Sequence, residues 1–144
     1  MTTIAYRNGV IAADTLVTWN GAFDGECVKV ARRRDVFAAT SGATSYGQGF
    51  MDWFRGGMRG EAPSMGRPES EHWATGVIFT GDFVVTFGPV GRNIVRAPYY
   101  ALGSGSQFAM GAMAMGADPE QAVRVAMGFD IMSGGQVTVL RSRS

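Results

Sequence analysis

The stretch Thr2–Thr15, TTIAYRNGVIAADT, decides how this chain is read. Two short runs, TTIAYR and VIAADT, flank Asn8-Gly9, a pair suited to a type I′ turn because both positions tolerate positive φ. The spacing predicts a β-hairpin that begins at the first threonine and closes on Asp14. Chain ends usually fray. A chain that enters a strand at once has an anchored terminus, which directs attention to Thr2 and the aspartate. A carboxylate ending the apolar run VIAAD is expected to be buried, and a buried charge is costly without a partner.

The rest of the sequence bounds what such a terminus could serve. The 144 residues suit one domain, 1–144, with a real core. Hydrophobic residues make up 46% and charged residues 17%, so part of the surface is expected to be covered by partners. A net charge of +1 gives no bulk electrostatic case for nucleic acid or an anionic membrane. Cys27 is the only cysteine and forms no internal disulfide, which favours a reducing compartment and a cytoplasmic location. No apolar run approaches the roughly 20 residues of a membrane span, and YRNG interrupts the N-terminus before a signal-peptide core builds up.

Further hairpins are predicted from β-branched runs bounded by turn residues. CVKVARR pairs with DVFAATSG around Arg33-Arg34-Asp35, and TGVIFTGDFVVTFG turns at Gly81-Asp82. NIVRA, YYALG and GQVTVLRS are short strands. Three helices are expected. Residues 44–59 place Tyr46, Phe50, Trp53, Phe54 and Met58 near one face, and Gly56-Gly57 weaken the end. Residues 105–116 are rich in small residues and suit close packing on a sheet. Residues 118–127 start with Asp118 as cap, Pro119 in the first turn and Gln121 at capping-box spacing. The polar stretch 60–72 reads as an exposed connection. Helices grouped between antiparallel hairpins predict layered α+β architecture.

A threonine hydroxyl is a weak nucleophile without a base. If Met1 is removed, Thr2 carries both a hydroxyl and a free α-amine, whose pKa near 8 makes it a ready proton acceptor. The same residues serve equally as β-formers at a strand start. Lys29, in CVKVA, is either a solvated strand residue or a partly buried cation that pairs with Asp14 and lowers the pKa of hydroxyl and amine. In ATSGA, the Gly42 N–H precedes a helix and is placed to stabilise an oxyanion. Ser104 lies between glycines in ALGSGSQFA, and Asp130 and Ser133 lie three apart in FDIMSGGQV. These are ordinary turn residues, yet beside the N-terminus they could orient its amine.

In this order, TTIAYRNGVIAADT, VKV, SGA, ALGSGSQFAMGAM and FDIMSGGQVTV resemble the proteasome β-subunit family of N-terminal-nucleophile hydrolases over most of the chain outside residues 55–75. The DxxSGG block is more like proteasomal β-subunits than the bacterial heat-shock peptidase. The resemblance implies a four-layer αββα sandwich and Thr2 as nucleophile once the preceding residue is gone. It also implies Asp14 and Lys29 as a buried pair, Gly42 as oxyanion donor, and Ser104, Asp130 and Ser133 as the group holding the amine. Val17, Thr18, Cys27, Ala31, Thr40 and Thr44 are then expected to border the substrate pocket and favour apolar side chains. A homo-oligomeric ring, a peptide or unfolded-protein substrate and an ATP-dependent unfoldase partner are implied as well. The connection from Arg59 to Trp73 stands where the family has a second helix, so one helical layer is expected to be shortened.

Other chemistry has little material. Gly103 and Gly105 suggest a phosphate-binding turn, but Phe108 occupies the place of the last glycine and no Walker lysine follows. His72 is the only histidine, which leaves neither a zinc site nor a Ser-His-Asp triad, and no cofactor or metal is implied. Two alternatives to a threonine peptidase stay open: a catalytically inactive assembly protein of the same fold, and a non-peptidase amidase.

Overall fold

The computed structural model describes residues 2–19 and 21–142. Its opening hairpin joins β1 (Ile4–Arg7) to β2 (Val10–Asp14), with Ile4 opposite Ala13 and Arg7 opposite Val10. Asn8 and Gly9 have φ of 50° and 72°, the positive values a type I′ turn needs. β10 (Tyr99–Leu102) and β11 (Val137–Arg141) flank this hairpin to give the order β10-β1-β2-β11, with every pair antiparallel.

The second sheet runs β5 (Val30–Arg33), β6 (Val36–Gly42), β7 (Ala74–Thr80), β8 (Phe83–Gly88) and β9 (Gly91–Arg96), again antiparallel and in sequence order. A separate hairpin, β3 (Leu16–Trp19) with β4 (Ala22–Glu26), projects between β2 and β5. It is absent from the sequence expectations. Its signal was the pair Asn20-Gly21, the same turn chemistry as Asn8-Gly9, although Asn20 itself lies outside the described residues.

Strand periodicity sorts the side chains between three apolar clusters. Ile4, Tyr6, Ile11 and Ala13 point from the first sheet toward Phe37, Ala39, Val77, Phe79 and Val84 of the second. The intervening Ala5 and Ala12, with Ala101, face the other way, against α2 (Ser106–Ala114) and α3 (Pro119–Phe129) through Ala109, Met113, Ala122, Val123 and Ala126. With alanines on both surfaces, these helices lie close to the sheet. On the far side of the second sheet, α1 (Thr44–Arg55) packs Phe50, Met51 and Phe54 against Ala31, Ala38 and Ile78.

Local chemistry sets the helix ends. Asp118 accepts from the Gln121 N–H while Gln121 accepts from the Asp118 N–H, a complete capping box. α1 stops at Arg55, short of residue 59. Gly57 has φ +99° and donates to Phe54 O, and Met58 donates to Trp53 O, the bond pattern of a Schellman stop. Residues 59–73 hold no helix, as expected, but they are not wholly exposed. Met65 is buried in the cluster beneath α1, and Gly66 bridges to Trp73. Among the described residues, no helix is long and apolar enough to cross a membrane.

Candidate active site

Thr2 and Thr3 precede β1, and strand alternation sends their hydroxyls to opposite sides. Thr2 Oγ1 donates to Asp14 Oδ1 at 2.6 Å. Thr3 Oγ1 meets Ser133 Oγ at 2.7 Å. Both threonines are buried, so each hydroxyl needs a partner, and each has one.

Asp14 is fully buried at the end of β2. Oδ1 takes the Thr2 hydroxyl, the Thr3 N–H at 2.9 Å and Lys29 Nζ at 3.0 Å. Oδ2 takes the Gly134 N–H at 3.0 Å. Three uncharged donors and one cation therefore satisfy the carboxylate. Lys29, just before β5 and 8% exposed, also donates to the Leu16 carbonyl at 2.6 Å. Burial pushes the Lys29 ammonium below its usual range, and the Asp14 carboxylate offsets that only in part. The result is a cation held against a carboxylate yet readier than usual to give up a proton.

A second group lies on the α2 and α3 side of the terminus. Asp130, at the C-cap of α3, accepts from Ser104 Oγ and Ser133 Oγ at 2.6 Å each through Oδ2, and from the Met132 N–H at 3.0 Å through Oδ1. Ser133 spends its one proton on Asp130, so Thr3 is the donor to Ser133. Ser104 Oγ is also 3.4 Å from the Thr2 carbonyl oxygen, which the Gly105 N–H reaches at 3.3 Å. Burial tends to raise the Asp130 carboxyl, but the bonds from Ser104, Ser133 and the Met132 N–H outweigh it and hold the group low.

Glycine is required where the terminus is clasped. A Cβ on Gly103 would lie 2.1 Å from the Thr2 carbonyl oxygen, and one on Gly105 would lie 1.9 Å from Thr3 Oγ1. Thr2 opens onto a cleft bordered by Val17, Thr18, Cys27, Lys29, Thr40, Gly42 and Thr44, with Gln48 and Met51 contributed by α1. Of the expected pocket residues, Ala31 does not border it. Ala31 lies with Met51 in the apolar cluster beneath α1. Gly42, with φ +110°, ends β6; a Cβ there would lie 2.6 Å from the Trp73 carbonyl oxygen. The Thr40 N–H donates to the Lys29 carbonyl at 3.3 Å. Two residues on, the same edge of β6 carries Gly42 past the end of β5, where it borders the same cleft as Thr2.

The structure thus brings Thr2, Asp14 and Lys29 together on one side of the terminus and Ser104, Asp130 and Ser133 on the other. Sequence reasoning missed Thr3, the Leu16 carbonyl and the Gly134 N–H. The adjacent threonine pair was the one available signal, since two successive strand residues cannot face the same group.

This architecture is the fold of HslV- and proteasome-type subunits. Among solved structures, BPH of Thiobacillus denitrificans in complex with epoxomicin matches with a TM-score of 0.66 and 20% identity, covering 99% of each chain. BPH alone matches with a TM-score of 0.64 and 21% identity over 99% of this chain and 98% of that one. Eukaryotic HslV from Trypanosoma brucei matches with a TM-score of 0.66 and 20% identity over 97% and 98%. No protein-family model matches the chain, and no curated protein matches its sequence.

Proposed function

We propose that residues 1–144 form a single proteasome-like domain, a four-layer αββα sandwich with one shortened helical layer, that acts as a threonine peptidase. The observation that carries this reading is the Thr2 hydroxyl, 2.6 Å from a buried carboxylate that also holds Lys29 at 3.0 Å, at the end of an open cleft. With Met1 removed, the Thr2 amine takes the hydroxyl proton as Oγ1 attacks the scissile carbonyl. The Gly42 N–H binds the oxyanion. The amine then passes the proton to the leaving nitrogen, and an ester links Oγ1 to the acyl half of the peptide. Water hydrolyses that ester and returns a proton to Oγ1. The Lys29 ammonium favours the anionic form of the hydroxyl, Asp14 fixes the ammonium, and Ser104, Asp130 and Ser133 orient the amine.

The fold shared with HslV and BPH supports assembly as a homo-oligomeric ring that encloses the clefts, fed by an ATP-dependent unfoldase in the cytoplasm. The test is cleavage of fluorogenic peptides by protein with a free Thr2 amine, beside a Thr2→Ala variant. The reading expects turnover that the variant abolishes. Cleavage of small amides without cleavage of peptides would indicate an amidase, and no turnover with a free Thr2 would indicate an assembly subunit.

A further inference from the structure

Glu26 is an exposed residue at the end of β4, yet its carboxylate is not free in solvent. Its Oε1 accepts from Thr15 Oγ1 and from the Gln136 N–H, the latter at 3.1 Å. These bonds, the one from Thr15 foremost, hold its carboxyl below the usual range. Thr15 is saturated in turn. Its hydroxyl accepts the Gln136 N–H at 2.9 Å, its N–H donates to the Gly134 carbonyl at 3.2 Å, and its carbonyl accepts the Cys27 N–H at 2.8 Å.

The position of Thr15 gives this cluster its consequence. Asp14 precedes it and holds Thr2 and Lys29; Leu16 follows it and supplies the second acceptor of Lys29 Nζ. The turn that reaches Thr15 and Glu26 through Gln136 also reaches Asp14 Oδ2 through the Gly134 N–H. Between those two residues the turn rests directly on the pair. A Cβ on Gly135, whose φ is +74°, would lie 2.5 Å from Thr15 Oγ1 and 2.6 Å from Glu26 Oε1. Three chain segments therefore meet at one carboxylate: the link from β2 to β3, the end of β4 that leads to Lys29, and the turn before β11. A surface glutamate gives up side-chain entropy to stay in one place. Here that cost is offset by charge-assisted bonds to two segments, one that carries both acceptors of the ammonium group and one that holds the second oxygen of Asp14.

We propose that Glu26 is a positioning residue for the reaction of Thr2: by fastening Thr15 to the 134–136 turn, it sets the distance between Lys29 Nζ and Asp14. This inference rests on the peptidase reading for its effect on turnover, but its effect on Lys29 is independent of that reading. Lys29 is the only lysine in the sequence, so protein labelled with 15N-lysine gives a single Nζ resonance.

The experiment compares that resonance and the steady-state kinetics in the assembled wild type, Glu26→Ala, Glu26→Gln and Thr15→Val. Glu26→Ala and Thr15→Val each move the resonance toward that of free lysine and lower kcat about 10-fold or more, with KM unchanged. Glu26→Gln keeps an acceptor oxygen and stays near the wild type in both. If Glu26→Ala does not fold, Glu26→Met, which keeps the stem of the side chain and loses both oxygens, gives the same reading, because Thr15→Val also removes the bond from the Gln136 N–H to Thr15 Oγ1. A resonance unmoved in the folded variants overturns the proposal whatever happens to turnover. A wild type without turnover removes the peptidase reading and leaves the resonance to decide the role of Glu26.

Discussion

Thr2 and Lys29 meet on a single oxygen: Oδ1 of Asp14 accepts the threonine hydroxyl at 2.6 Å and the ammonium at 3.0 Å. One buried carboxylate therefore sets the spacing of a threonine hydroxyl and a cation. The consequences can be measured residue by residue.

Lys29→Met leaves the Asp14 charge without its cation. Uncharged donors remain at Oδ1 and Oδ2, so the protein folds but loses about 3 kcal/mol, as expected for breaking a buried pair. Lys29→Arg keeps the charge but replaces a compact ammonium with a planar fork that cannot meet the Asp14 and Leu16 oxygens in the same way. It retains most of the stability and loses about 100-fold in kcat. Urea denaturation and steady-state kinetics on the two variants separate these effects.

Gly105→Ala drives a Cβ into Thr3 Oγ1 and costs about 2 kcal/mol by overpacking. The same substitution in a Thr3→Ala background meets no hydroxyl and costs less, because contacting sites couple. A double-mutant cycle of chemical denaturation reads the coupling. Additive costs would show that the contact does not limit the packing at residue 105.

Asp130 is held below the ordinary aspartate value of 3.8. A carboxylate depressed in the folded state contributes stability that is fully present above that value and is lost as pH falls through the lowered one. Asp130→Asn therefore reduces stability at neutral pH, and the difference from wild type narrows in acid. Melting temperatures measured from pH 7 down to about 2 check the sign.

The cleft borders are neutral apart from Lys29, which already faces Asp14. A charged substrate side chain entering between Val17, Cys27 and Thr40 would be desolvated without a partner. Peptide libraries should show at least about 10-fold higher kcat/KM for apolar than for charged residues before the cleaved bond. Thr40→Asp should raise the turnover of basic peptides relative to apolar ones.

Where local chemistry decides, the sequence was readable. Asn8-Gly9 and Gly81-Asp82 marked two hairpins, and Asp118 with Gln121 marked the start of α3. The β3–β4 hairpin escaped because AFDGE lacks both β-branched residues and apolar alternation, and its residues are largely exposed. Asp14 and Lys29 could be nominated because a lone carboxylate at the end of an apolar strand demands a cation, and Thr2 because loss of Met1 leaves its hydroxyl beside a free amine. Thr3 with Ser133, 130 residues apart, could not, since two hydroxyls carry no charge to be balanced. Ala31 was placed at the cleft by analogy, whereas α1 covers it. The Gly134 and Leu16 backbone groups leave no mark in the sequence, because any residue supplies them.

The most direct test of Thr2 as both nucleophile and base is its reaction with an epoxyketone, whose ketone carbon takes a hydroxyl and whose epoxide carbon takes the neighbouring amine. Peptide mapping by mass spectrometry, on protein lacking Met1, is predicted to place one inhibitor on Thr2 through both atoms, with none on Thr2→Ala. Protein with a free Thr2 amine that stays unmodified, or that carries the adduct on another residue, would contradict the account.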